Sequence, residues 1–158
     1  MEINPRASLV SRKEILVQAP PDVVWTIHTD VNGWKEWQPD IRTSESGGAL
    51  KAGLVFTWTS GGFVMTSIIE ELIPRRRIGW TGKSFGSRAR HVWMFEPREG
   101  GTIVKTEESM EGWFVSLLKP LMPNLLDRSL DVWLRSLKIK AEGKAASRHV
   151  IAGAALSP

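Results

Sequence analysis

The longest hydrophobic pattern in the chain lies in its last third. Apolar residues recur there at spacings of three and four, which is typical of one face of an α-helix; they are Leu118, Met122, Leu125, Leu126, Leu130, Trp133, Leu134 and Leu137. Charged residues occupy the opposite face, where Asp131 can reach Arg135 one turn later. Because proline suits a first helical turn, Pro120 and Pro123 predict a short helical lead-in and a main helix from about Pro123. Gly143 is the predicted end of this helix, which would then be roughly 30 Å long.

The pattern at the start of the chain is different. Residues 12–19 alternate apolar and polar positions and predict a first strand. Pro20–Pro21 ends this strand and opens a first short helix, and Asn32–Gly33 predicts a turn. Trp34 and Trp37 then lie three residues apart on a second short helix.

A long β-rich region separates these short helices from the C-terminal helix. Between Ile41 and Met110, short apolar segments alternate with glycine turns, which predicts six further strands. The chain contains no internal repeat and no linker. We therefore expect one domain over residues 1–144 and a C-terminal tail over residues 145–158.

One predicted hairpin allows inward-facing residues to be assigned. Gly61–Gly62 suits a two-residue turn, because both positions tolerate positive φ. Such a turn pairs Trp58 with Met65. Since side chains alternate along a strand, Phe56, Trp58 and Met65 share one face of the predicted sheet.

A second predicted hairpin carries the candidate chemistry. His91 and Trp93 share a face of one strand, and Thr106 and Glu108 share a face of the returning strand. The intervening positions from Ile103 to Glu111 are mostly charged, so we expect them to face water. His91 then lies on the inner face opposite Thr106 or Glu108, and the register decides which of the two it is.

Composition narrows the functional classes. The chain has 158 residues, a net charge of +4, no cysteine, and eight tryptophans without a tyrosine. The lack of cysteine excludes disulfide and thiol chemistry and fits a reducing compartment, so we expect a cytoplasmic protein. Stable membrane insertion is not expected, since no run approaches the roughly 20 apolar residues of a membrane span. Arg75–Arg77 is the only tight basic run and is interpreted as a solvated turn, so nucleic-acid binding is not expected. The tryptophans favour a wide aromatic interior.

Several kinds of site have no pattern in this sequence. The three histidines are far apart without metal-ligand spacing, so no metal is expected. A glycine-rich phosphate loop, a nucleophile elbow and a dinucleotide fingerprint are all missing, so no cofactor is expected.

Five segments resemble the polyketide cyclase/dehydrase-like proteins of the START/Bet v 1 (SRPBCC) superfamily, namely Ala19–Trp25, Gly33–Trp37, His91–Pro97, Gly101–Val104 and Thr106–Gly112. The resemblance extends over most of the chain. It implies an α+β helix-grip fold, in which a seven-stranded curved antiparallel sheet surrounds a long C-terminal helix, with two short helices between strands 1 and 2. It also implies a hydrophobic cavity between the sheet and that helix.

The candidate ligand-binding residues combine the inward-facing positions with this implied cavity. They are Phe56, Trp58, Met65, Trp80, His91, Trp93, Phe95, Thr106, Glu108, Leu126 and Leu130. Trp58, Trp80 and Trp93 form either a pocket wall or an ordinary core. The contribution of Leu126 and Leu130 rests on the resemblance alone.

Three functions fit this interpretation. The first is binding of a small hydrophobic molecule, such as a lipid, a polyketide-like or an aromatic compound, by a monomer or homodimer. The second is an aromatase/cyclase-like enzyme in which His91 and Glu108 handle protons, since a buried carboxyl beside an imidazole is an acid/base candidate. The third is a co-chaperone-like interaction module with an exposed apolar patch. His91 and Glu108 also have a purely structural interpretation, as a satisfied buried pair.

Overall fold

The computed structural model describes the backbone of residues 1–154 and the side chains of residues 1–148. It contains seven strands, three α-helices and one 3₁₀ helix among the described residues. In chain order the elements are β1 (Leu9–Val17), α1 (Pro21–Thr29), the 3₁₀ helix (Val31–Glu36), β2 (Ile41–Ser46), β3 (Val55–Ser60), β4 (Phe63–Ile73), β5 (Arg77–Ser84), β6 (Ser87–Arg98), β7 (Gly101–Glu111), α2 (Trp113–Leu118) and α3 (Leu125–Ala154). The predicted α+β order of elements is confirmed.

The strands form one curved antiparallel sheet in the order β1-β7-β6-β5-β4-β3-β2. The apolar stripe of α3 covers the inner face of this sheet, and Leu130, Trp133 and Leu137 are buried there. The helix backbone comes closest to the edge strand β1 and to α1. Long side chains therefore bridge the wider space between α3 and the middle of the sheet.

Both predicted hairpin registers can be compared with the structure. Trp58 pairs with Met65 across the Gly61–Gly62 turn, as predicted. His91 pairs with Glu108, which selects one of the two registers that the sequence left open. The inner face therefore carries an imidazole and a carboxyl side by side on neighbouring strands.

Gly143 does not end the C-terminal helix, contrary to the sequence-based prediction. The helix continues to Ala154 and is about 45 Å long rather than 30 Å. Ala141 and Ala145 are buried on either side of Gly143, so tertiary packing outweighs the low helix propensity of glycine. The boundary at residue 144 thus falls inside a helix. Residues 155–158 lie outside the described part, and the division into a domain and a tail stays a prediction.

The charged side of α3 contacts the edge strand instead of facing only water. Asp131, which was expected to pair with Arg135, lies 3.3 Å from the ammonium group of Lys13 on β1. Farther along the helix, Lys138 Nζ donates a hydrogen bond of 2.7 Å to the carbonyl oxygen of Leu16. These contacts satisfy polar groups along β1 and hold the helix against it.

Part of the outer face of the sheet is covered as well. Ser109 was expected to face water, but its side chain is buried and accepts a 3.0 Å hydrogen bond from the backbone N–H of Asn4. Ile3 is buried in the same N-terminal segment. The sequence pattern of β7 could not reveal this cover, because it comes from a distant part of the chain.

Candidate functional site

His91, Thr106 and Glu108 form the polar centre of the inner face. His91 Nε2 and Thr106 Oγ1 share a hydrogen bond of 2.8 Å. Glu108 Oε2 lies 3.6 Å from His91 Nδ1, and the side chains of His91 and Glu108 are 3% and 13% exposed. The two candidate acid/base groups are thus neighbours, at a separation slightly longer than a hydrogen bond.

Burial controls the charge state of this pair. It raises the pKa of Glu108 from 4.5 to about 8, because removal from water penalises the carboxylate. It also holds the pKa of His91 well below 6.5, and the nearby His28 lowers it further. At neutral pH the pair is therefore uncharged, and it presents a carboxylic acid and a neutral imidazole to the interior.

Aromatic rings surround one side of the polar centre. The ring centroids of Trp80 and His91 are 4.8 Å apart, and those of His91 and Trp93 are 5.3 Å apart. Trp133 of α3 lies 5.9 Å from Trp93 and 5.1 Å from Trp34. Such separations are those of packed aromatic pairs, so this half of the interior is filled by side chains.

The sequence analysis missed His28, which is completely buried on α1. Its ring centroid lies 4.5 Å from that of Trp93 and 5.3 Å from that of Phe95. Neither ring nitrogen of His28 has a hydrogen-bond partner among the described residues, and the same is true of Trp93 Nε1. Burial lowers the pKa of His28 to about 3, so the ring is neutral. The helical spacing contained a signal, because His28 follows the buried Val24 by four residues.

The other side of the polar centre is lined by small side chains. Ser67, Gly82 and Ala89 are direct neighbours on β4, β5 and β6, in the row next to His91 on the inner face. Trp58 Nε1 donates a 3.0 Å hydrogen bond to Ser67 Oγ at one end of this row. Met110 follows Ala89 at the other end.

This small-residue row also lies where the interior becomes accessible. Trp58 and Met110, at the two ends of the row, are partly exposed, whereas the aromatic rings around His28 are almost completely buried. The interior therefore has a closed aromatic end and a more open end. We call this second part, formed by Trp58, Ser67, Gly82, Ala89 and Met110, the open end.

The predicted ligand-binding residues all lie on the interior side of the fold. Those that are buried are Phe56, Trp80, His91, Trp93, Phe95, Thr106, Leu126 and Leu130, and those that are partly exposed are Trp58, Met65 and Glu108. Their common location agrees with the prediction of an inner face. That they bind a ligand stays a prediction.

Three clefts open on the surface of the described residues, and one of them is lined by Gly82 and Ala89 of the open end together with outer-face residues such as Thr81 and Ser109. The largest, of about 820 Å³, is lined by the corner around Pro20, the turn from Pro97 to Gly101, and Ala145 on α3. The others have volumes of about 610 Å³ and 200 Å³. None of these three clefts is lined by a predicted ligand-binding residue.

The described part of the chain has neither a group of metal ligands nor a membrane-spanning helix. No three of its histidine, aspartate and glutamate side chains are grouped so that they could hold a metal ion. None of its helices combines the length and the apolar character needed to cross a membrane.

The fold and the sequence together identify the family. The model of the family described as polyketide cyclase / dehydrase and lipid transport matches residues 9–142. The chain belongs to this family. The resemblance seen in the sequence is thereby confirmed, and the chain has the ligand-binding fold of this polyketide cyclase and lipid-transport family. A comparison with curated proteins finds no match to the chain.

Solved structures with the same fold include proteins of several bacteria. A hypothetical protein of Helicobacter pylori has a TM-score of 0.77 at 19% identity, with 87% of this chain and 90% of the other covered. A START superfamily protein of Mycobacterium smegmatis has a TM-score of 0.71 at 14% identity, covering 87% and 97%. The Zhui aromatase/cyclase of Streptomyces has a TM-score of 0.70 at 15% identity, covering 85% and 93%. At such low identities the likeness shows the helix-grip fold alone.

Proposed function

We propose that this protein binds a small, largely apolar molecule between the inner face of the sheet and α3. The observation that carries the proposal is the buried pair of His91 and Glu108, whose side chains lie 3.6 Å apart on an apolar inner face beside the open end. A few polar groups among apolar side chains are typical of small-molecule sites, where they orient the ligand.

The charge state of the pair indicates the class of ligand. A charged ligand would lose its hydration without gaining an opposite charge, because both His91 and Glu108 are neutral. A hydroxyl or carbonyl group, in contrast, can exchange hydrogen bonds with a carboxylic acid and an imidazole. The preferred ligand is therefore an uncharged molecule, aromatic or aliphatic, with one such polar group.

The open end is the part of the interior best suited to receive this ligand. Ser67, Gly82 and Ala89 have small side chains, whereas the aromatic end is filled by rings. Leu126 of α3 is buried in the cluster against which Met110, at one end of this row, packs. Trp58 and Met110, which are partly exposed at the two ends of the row, mark the proposed route of entry. A ligand there would contact His91 and Glu108 with its polar group and Leu126 with its apolar part.

The test combines a ligand panel with a variant that fills the open end. Tryptophan-fluorescence titration and native mass spectrometry would follow binding of 1-decanol, 2-naphthol and a planar polyphenol. We expect saturable one-to-one binding that Ala89→Phe abolishes while the fold is kept. Thr66→Phe is the matched control, because Thr66 lies exposed on the outer face of β4. An Ala89→Phe protein that binds the panel as the wild type does would contradict the proposed location.

An aromatase/cyclase-like enzyme is the second candidate. The displaced pKa values of His91 and Glu108 favour it, because acid/base catalysts need groups whose pKa values differ from the ordinary ones. In this reaction Glu108 would donate a proton to a ketone oxygen and His91 would remove one from the adjacent carbon. Turnover of a short poly-β-ketone thioester should collapse in His91→Ala while its affinity survives. An unchanged rate in that variant would exclude the pair as the catalyst.

A further inference from the structure

A cluster of exposed aromatic and aliphatic side chains lies at the end of the molecule that borders the open end. Phe85 at the turn between β5 and β6 contacts Trp113 and Phe114 of α2, with centroids 5.2 Å and 5.4 Å apart. Phe63, just after the turn between β3 and β4, lies 5.4 Å from Phe114. The exposed residues Leu117, Leu121 and Met122 follow in the chain. We call these seven residues the aromatic tip.

The aromatic tip is held in place although much of it is exposed. Phe85 and Trp113 are each 61% exposed, which is unusual for side chains of this size. Trp113 nevertheless lies directly on Gly86, where an added Cβ would come 2.5 Å from its ring. The backbone N–H of Phe114 also donates a 3.2 Å hydrogen bond to the carbonyl oxygen of Gly86. These contacts fix α2 on the hairpin, so the apolar side chains are presented in a defined arrangement.

Positive charge accompanies the apolar surface. The three segments that form the tip, residues 60–64, 83–88 and 113–122, contain Lys83, Arg88 and Lys119 and no acidic residue. Lys83 and Arg88 face each other directly across the hairpin, and both are exposed. Like charges in such a pair destabilise a hairpin unless an anion lies near them. Glu111, at 3.8 Å from Arg88, offsets only part of this charge.

We propose that the aromatic tip docks onto a lipid surface that contains anionic phospholipids. Trp, Phe and Leu side chains enter the boundary between headgroups and acyl chains, and Lys83, Arg88 and Lys119 contact the lipid phosphates. A lipid surface fits better than a protein partner, because lysine is depleted at protein interfaces and because Phe63 and Phe85 protrude from turns. The docking is peripheral, and it does not depend on the ligand proposed above.

Vesicle co-sedimentation tests the docking directly. The wild-type protein is mixed with vesicles of phosphatidylcholine alone or with 30% phosphatidylserine, at low and high salt. We expect the wild-type protein to bind the anionic vesicles clearly, and high salt should weaken this binding. Each of Lys83→Gln and Lys119→Gln should bind about fivefold more weakly than the wild type. Phe85→Ser and Leu121→Ser should each reduce binding about tenfold. Circular dichroism would verify that each variant is folded.

The chain offers a closely matched control. Ile139 on α3 is 74% exposed and Leu121 is 75% exposed, but Ile139 lies far from the tip in the sequence. Ile139→Ser should therefore bind vesicles as the wild type does. Quenching by brominated lipids adds a second readout, because vesicles should quench the fluorescence of Trp113 and this quenching should disappear in Trp113→Phe.

Three results would overturn the proposal. The first is that the wild type binds vesicles no more strongly than Phe85→Ser does. The second is that Ile139→Ser loses as much vesicle binding as Leu121→Ser does. The third is a wild-type dimer that Phe85→Ser and Leu121→Ser convert to a monomer while neither protein binds vesicles. That third result would assign the aromatic tip to contact between two copies of this chain, which is an interaction surface of another class.

Discussion

Replacement of Glu108 by glutamine tests the electrostatic account of the polar centre. Glutamine has nearly the shape of the protonated carboxyl group but cannot ionise. The pKa of Glu108 rises from 4.5 in the unfolded chain to about 8 in the folded protein. Between these values the folded state holds a proton that the unfolded state has released, so wild-type stability falls as the pH rises.

The size of this loss of stability follows from the raised pKa of Glu108. One pKa unit corresponds to about 1.4 kcal/mol. The free energy of unfolding of the wild type should therefore fall by at most about 5 kcal/mol between pH 4.5 and pH 8, and roughly 3 kcal/mol of this fall is reached by pH 7. Glu108→Gln should lack this loss. The free energy of unfolding of the variant minus that of the wild type should therefore increase steadily from pH 5 to pH 8.

Urea denaturation followed by tryptophan fluorescence, at intervals from pH 4.5 to pH 9, measures this difference. The titrations of His28 and His91 occur in both proteins, so the difference isolates Glu108. Glu107→Gln is the control, because Glu107 is the next residue, faces outward and lies 3.5 Å from Arg12. Its effect should stay within about 1 kcal/mol at every pH. A difference between Glu108→Gln and the wild type that is the same at pH 5 and pH 8.5 would refute the reasoning.

Three further substitutions test other parts of the structure. His28→Leu should stabilise the protein by about 1–3 kcal/mol at pH 7, since two buried nitrogens without partners are removed. This gain in stability should grow as the pH falls below 6.5, because the folded pKa of about 3 makes protonation of His28 costly in the wild type. Urea denaturation at pH 5 that shows no gain would contradict this prediction. Gly143→Ala should raise stability by about 0.5–1 kcal/mol, because Gly143 lies inside α3 with open space around it, and a lower thermal midpoint would mean that the helix ends there. Gly101→Ala should prevent normal folding, because its Cβ would collide with the carbonyl oxygen of Val17. Gly47→Ala is the control, because an added Cβ meets only open space there. Circular dichroism should show that Gly47→Ala folds as the wild type does and that Gly101→Ala does not.

Local patterns accounted for much of the fold. The spacing of apolar residues predicted the C-terminal helix, and the Gly61–Gly62 turn fixed the pairing of Trp58 with Met65. Both depend on interactions between residues close in the chain, so short segments of sequence contain the information. The inward orientation of His91 and Glu108 followed in the same way from strand alternation.

Contacts between distant segments decided the rest. The register of β6 and β7 determined that His91 faces Glu108, and only the packing of α1 against the sheet buried His28 beside Trp93. Gly143 stays helical because Ala141 and Ala145 are buried around it, which no helix propensity expresses. The sequence by itself determined the elements and their inner faces, since these follow from the periodicity of the backbone. The tertiary structure decided which polar groups lose their water, and with that their charge states, because burial arises only when elements from different parts of the chain close over them.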